Sequence, residues 1–87
     1  MIIKKDLVLR KVATTWIVVP VGSKVLSFNG MLQLNESGVM LWNALVNGAD
    51  KEYLVNLLMS EYSVARVQAE KDVEEYIEKL IEADCLE

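Results

Sequence analysis

Eighty-seven residues with an apolar fraction of 53% and a net charge of −4 make one domain near the small end of what folds alone, so most apolar side chains are committed to a single core. The absence of histidine and the presence of one cysteine, Cys85, exclude a histidine-based triad, a histidine-containing zinc site and an internal disulfide. No apolar run approaches the ~18 residues of a membrane span, and residues 1–5 (MIIKK) are too short and wrongly ordered for a signal peptide, so the expected compartment is the cytoplasm.

The chain reads as strands followed by helices. Residues 7–13 (LVLRKVA) alternate apolar and polar, and residues 15–19 are β-branched and aromatic; both are strand signals. Pro20 lacks a backbone donor and is expected to close the second strand. Asn29-Gly30 is a strong hairpin signal between Val25–Phe28 and Met31–Leu34. In the strand after that turn Leu32 and Leu34 share one face, and Met31 and Gln33 the other.

Three helices follow. Asn35 is a good N-cap for the first, in which Val39, Leu41, Trp42, Leu45 and Val46 supply the apolar surface before Gly48 stops it. Gly38, early in this helix, is expected to pack closely against another backbone. Asp50 caps a second helix with Leu54, Leu57 and Leu58 on one face. Ser63 is expected to cap the third and longest helix, running to about Ala83.

On a helical wheel the third helix places Val73, Ile77, Leu80 and Ile81 at the centre of its apolar arc, expected to face the core. Lys71, Glu74, Glu75, Glu78 and Glu82 lie on the far, solvated side. One flank aligns Ala69, Asp72, Tyr76, Lys79 and Ala83 at steps of three and four. Tyr76 offers this ridge an apolar body with a polar tip, though on single-residue grounds the favoured reading is a core-edge tyrosine with its hydroxyl in water.

Nothing in the chain points to catalysis, a metal or a cofactor. Cys85 sits beside Asp84, an acidic setting that raises rather than lowers a thiol pKa, and reads as a small packing residue. The carboxylates lie at solvent spacing on helix faces. Trp16 and Trp42 sit inside apolar segments and read as core anchors.

Three short N-terminal β-strands followed by three α-helices make an α+β layout, that of a winged helix-turn-helix. Reading DNA with the third helix is the obvious use of that layout. Residues 66–84, however, carry three basic and seven acidic side chains. Residues 1–34 are net +4 and residues 35–87 net −8, so the helical half repels a phosphate backbone and nucleic acid is not the expected partner.

The segments "FNGMLQLNESGVMLWNAL", "NGADKEYLVNLLMSEYSV" and "KDVEEYIEKLIEADCLE" resemble the PqqD-like family of peptide-binding modules, also called RiPP recognition elements. The residues that carry the resemblance are Leu34-Asn35-Glu36-Ser37-Gly38, Trp42, Gly48, Asp72-Val73 and Leu86-Glu87, and it extends from about Leu7 to Glu87. It implies a winged-helix fold that performs no chemistry, binds the leader segment of a ribosomally made precursor peptide and presents it to a modifying enzyme, often a radical SAM protein. It further implies that the leader adds as a strand along Met31, Leu32, Gln33 and Leu34, against a helix wall of Asp72, Tyr76 and Lys79. Where relatives commonly have Gly-Leu near the end, this chain has Asp84-Cys85. Aspartate tolerates the left-handed conformation less well than glycine, so the third helix is expected to close differently.

Two other function classes stand beside the adaptor: a winged-helix DNA-binding regulator, and a structural subunit that steadies an enzyme. Met31, Leu32 and Leu34 also fit an interior strand. An open strand edge and high apolar content together predict a monomer that forms weak homodimers.

Overall fold

A computed structural model describes residues 1–22 and 32–87 of the chain. The expected Asn29-Gly30 turn, the strand segment Val25–Phe28 and Met31 lie outside the described residues. Three strands, β1 (Leu7–Val12), β2 (Thr15–Pro20) and β3 (Leu32–Leu34), precede three helices, α1 (Glu36–Val46), α2 (Lys51–Tyr62) and α3 (Arg66–Glu82). This is an α+β fold with the order of elements of a winged helix-turn-helix.

β1 and β2 form an antiparallel hairpin with Leu7 opposite Pro20 and Val12 opposite Thr15. The loop is Ala13-Thr14, and Ala13 has a φ of 56°. The first strand therefore ends one residue earlier than its alternation suggested, because a two-residue hairpin loop needs a residue at positive φ. Pro20 does close β2. β3 adds antiparallel to β2, with Trp16 opposite Leu34, Ile17 opposite Gln33 and Val18 opposite Leu32. The sheet order is β1-β2-β3, which leaves one side of β3 without a strand neighbour among the described residues. Trp16 is half-buried rather than a core residue, and the Lys11 ammonium lies 5.6 Å from its ring centre.

Both expected caps of α1 and α2 form. The Asn35 Oδ1 atom accepts from the Gly38 N–H at 2.9 Å, and the Asp50 Oδ1 atom from the Tyr53 N–H at 2.8 Å, each satisfying a donor that the first helical turn leaves free. Gly48 takes a φ of 90° just after α1. Ser63 does not cap the third helix. It ends α2 in the left-handed conformation, φ 52°, and α3 starts after Ala65, which offers no side-chain acceptor.

The core joins Leu7 and Val18 of the sheet to Leu41, Trp42 and Leu45 of α1, Leu54, Val55 and Leu58 of α2, and Ala69, Val73, Tyr76 and Leu80 of α3. The buried arc of α3 is thus turned from the expected one toward Tyr76, leaving Ile77 half-buried and Ile81 62% exposed. The turn follows from Tyr76 finding an acceptor for its hydroxyl inside the protein, which lets the whole ring be buried. Val46, in the last turn of α1, is likewise exposed, and Leu57 only half-buried.

Residues 1–6 pack where no regular element was expected. Ile3 is buried, its N–H donates to the Leu45 carbonyl, and Ile3 bridges antiparallel to Leu86. The Lys4 N–H donates to the Cys85 carbonyl and the Lys4 ammonium pairs with Asp84 at 2.6 Å. Cys85 is fully buried, a packing residue as expected.

Asp84 corrects the expectation for the end of α3. It takes a φ of 57°, its N–H donates to the Ile81 carbonyl, and the Cys85 N–H donates to the Leu80 carbonyl. These are the two bonds of a Schellman closure, with Leu80 and Cys85 in the apolar positions. The helix closes as it would on glycine, with Lys4 against the aspartate side chain.

Candidate functional site

The side of β3 turned away from β2, which has no strand neighbour among the described residues, adjoins a cleft of about 330 Å³ whose other wall is α3. Gln33 and Leu34 form the strand side, Asn35, Ser37 and Gly38 the end at the α1 cap, and Asp72, Glu75, Tyr76 and Lys79 the helix side; Leu41 and Leu58 complete the lining. Its position follows from the sequence. The Asn35 cap makes the chain turn from strand to helix with one residue between them, so the edge of β3 and the first turn of α1 stay adjacent.

Gly38 shapes this end in a way the expected backbone contact does not describe. A Cβ there would lie 3.2 Å from the Leu34 Cβ atom and 3.2 Å from the Asn35 Oδ1 atom, so glycine lets the strand and the cap sit against the helix. The close neighbours are side-chain atoms. The Gly38 carbonyl accepts a hydrogen bond from the Tyr76 hydroxyl at 2.7 Å, which ties α3 to the first turn of α1 across the cleft floor. The hydroxyl expected in water is therefore buried and paired. Burial, with the Cys85 charge adding to it, pushes the Tyr76 phenol above its ordinary range.

Five of the seven expected site residues, Gln33, Leu34, Asp72, Tyr76 and Lys79, come together in the cleft. Leu32 is half-buried and packs against the core, and Met31 lies outside the described residues. The wheel put Glu75 on the solvated far side, yet it lines the cleft; the rotation of α3 toward Tyr76 brings its neighbour in sequence with it. Asn35 and Ser37 also line the cleft, visible beforehand as capping residues only.

The cleft walls offer charged and hydrogen-bonding groups to a ligand. Asp72 and Glu75 against Lys79 give the helix wall two carboxylates to one ammonium, and the Gln68 side-chain amide donates to the Asp72 Oδ1 atom at 2.8 Å. Among the described residues there is no group of three or more side chains arranged to hold a metal ion, and no helix long and apolar enough to cross a membrane. A strand edge with no strand neighbour among the described residues, beside the buried Leu41 and Leu58 and a charged rim, is a geometry that accepts an extended chain.

The family model described as coenzyme PQQ synthesis protein D (PqqD) matches residues 15–86. This chain belongs to the PqqD family. No curated protein sequence matches it. Two solved structures share its fold. One, described as TbiB1 in complex with the TbiA(beta) leader peptide, has a TM-score of 0.79 at 23% identity, covering 100% of this chain and 95% of that one. The other, described as lasso peptide synthetase B1 complexed with the leader peptide, has a TM-score of 0.72 at 21% identity, covering 92% of this chain and 88% of that one. The PqqD-family assignment takes in β2, β3 and all three helices, and therefore every described wall of the cleft.

Proposed function

We propose that this chain is a non-catalytic adaptor that binds the leader segment of a ribosomally made precursor peptide and presents it to a modifying enzyme in the cytoplasm. The observation that carries the reading is the cleft itself, an edge of β3 with no strand neighbour among the described residues, set beside the Asp72–Tyr76–Lys79 wall of α3. Two proteins of this fold are described as complexes with leader peptides, which supports the same occupant here. The leader's backbone pairs with the segment from Met31 to Leu34, and its side chains meet Asp72, Tyr76 and Lys79. Backbone pairing gives affinity for many extended peptides, and the helix wall gives selectivity. The modifying enzyme is a radical SAM protein.

The test is titration with the leader of a candidate precursor peptide, sought among the short reading frames near the gene, followed by amide hydrogen exchange. Successive residues of an antiparallel strand direct their backbone groups to opposite edges, so binding slows either Gln33 or its neighbours Leu32 and Leu34, and leaves α2 unchanged. Gln33→Pro breaks ladder geometry whichever way that N–H faces, and abolishes binding while the helical signal persists. Tight binding with no slowing in β3 overturns strand addition at this edge.

A further inference from the structure

The cleft does not end at the α1 cap. A second hollow of about 410 Å³ adjoins it, bounded by Tyr62, Val64 and Glu36, and it shares Asn35, Ser37, Leu58 and Asp72 with the first. The two meet along that shared wall at the first turn of α1, one reaching the edge of β3 and the other the α2–α3 turn. Ser63 in the left-handed conformation reverses the chain there, so that Tyr62 and Val64 come to line one hollow from either side of a single turn.

The two halves differ in character. Between them lies a polar saddle whose oxygens are already oriented. The Asn35 Oδ1 atom accepts from the Gly38 N–H and the Ser37 hydroxyl, and the Asp72 Oδ1 atom from the Gln68 amide. Beyond the saddle the second hollow is lined by Tyr62, which is 44% exposed, and the half-buried Val64, together with the buried Leu58 that both hollows share. A large aromatic side chain open to water over an apolar floor gains by being covered.

We infer that the Leu58–Tyr62–Val64 hollow is a second subsite for the same peptide, taking one apolar side chain that the peptide presents after it leaves β3 on the Leu34 side. This rests on the strand-addition reading above. Continuity decides the occupant: a chain paired with β3 and running past Leu34 meets the shared saddle next, where backbone N–H groups find the carboxylate of Asp72, and then the apolar hollow. Recognition is bipartite, with backbone pairing at the edge and a side-chain anchor at a fixed spacing from it. An anchor supplies what an edge ladder lacks, because ladder bonds read no side chain.

The experiment is selection from a displayed library of random peptides on the immobilised full chain, run in parallel on Tyr62→Ser and Val64→Ser. Each variant is first checked for an unchanged thermal midpoint, so that whichever keeps the fold carries the test. Peptides selected by the parent chain share an apolar residue at one fixed spacing from the segment that slows β3 exchange. They bind the variants about tenfold more weakly, the loss of one anchor from a small interface, and the variants' own selections lose that apolar preference alone. Selected peptides that slow β3 exchange but show no spaced apolar position, or that bind parent and variants alike, overturn the subsite and leave strand addition standing. Selection of no peptide that slows β3 exchange overturns both. A chain whose self-association is abolished by Tyr62→Ser, with peptide preference unchanged, assigns the hollow to a second copy and overturns the proposal.

Discussion

The Tyr76 hydroxyl donates to the carbonyl of a residue 38 positions earlier, at 2.7 Å and out of contact with water. A net hydrogen bond of this kind is worth about 1 kcal/mol, so Tyr76→Phe should lower stability by about that amount, measured by denaturant unfolding. The same variant should weaken the leader peptide, because the bond sets the distance between α1 and α3. Tyr76→Ala is a poorer probe of binding: truncating a buried aromatic costs about 3–5 kcal/mol, a large share of a small domain's stability. The bond also has a pH signature. Burial raises the folded-state pKa of Tyr76 above its ordinary value, so from about pH 10 upward the unfolded chain releases a proton that the folded chain retains. The contribution is complete below about pH 10 and falls as pH rises toward the folded pKa. Tyr76→Phe should therefore lose less stability than the parent between about pH 9 and about pH 11. Periodicity placed Tyr76 on a flank ridge of the third helix and the family resemblance made that ridge a wall, but no local pattern could name Gly38 as its partner, since contact across 38 residues is made by the packing of two helices. Asp84 has the same origin. Its conformation is the one glycine favours, and its ion-pair partner is Lys4, eighty positions away.

Helix starts separate what local chemistry dictates from what packing overrides. Asn35 and Asp50 cap α1 and α2 because their side chains reach N–H groups three residues on, a relation written within four residues of sequence. Ser63 has the same capping chemistry, yet the turn between α2 and α3 requires a left-handed residue at that point, and the helix is delayed to Arg66. The consequence is a poorly capped N-terminus. Ala65 has the extended backbone of a cap, φ −68° and ψ 153°, with no side-chain acceptor, and the first helical residue is a cation at the positive end of the helix dipole. Arg66 instead leans on Glu52 at 3.1 Å and on Glu70. Ala65→Asp should supply both the missing acceptor and a favourable charge, raising stability by about 1 kcal/mol and the thermal midpoint by about 4–8 °C. A melting curve unmoved by the substitution would show that Arg66 and its carboxylates already satisfy this end. The strands were legible through alternation: Leu32 and Leu34 are half-buried and Gln33 exposed. Residues 1–6 were not, because pairing with Leu86 and Leu45 leaves no periodic trace in so short a run.

Charge is divided between the two ends of the chain, with residues 1–34 at net +4 and residues 35–87 at net −8. Within α3 three basic residues face six acidic ones, so the helix that a DNA-binding winged helix would insert in the major groove repels phosphate. A labelled duplex should show at most weak association at physiological salt, and a sequence-specific footprint would displace the adaptor reading. The same division leaves the backbone edge of β3 as the adhesive feature of the cleft, and an edge that accepts a peptide strand also accepts the edge of a second copy. The three described residues of β3 are a short ladder for a tight dimer by pairing alone. The chain should therefore sediment as a monomer when dilute and shift toward dimer as its concentration rises. Leader peptide and a second copy would compete for the same backbone groups, so saturating leader should return the concentrated protein to one-to-one complexes. The Tyr62→Ser chain should dimerise as the parent does, because its hollow lies beyond the strand. A dimer that persists at nanomolar concentration, or that binds leader without dissociating, would place self-association on another surface and favour a structural role for the assembly.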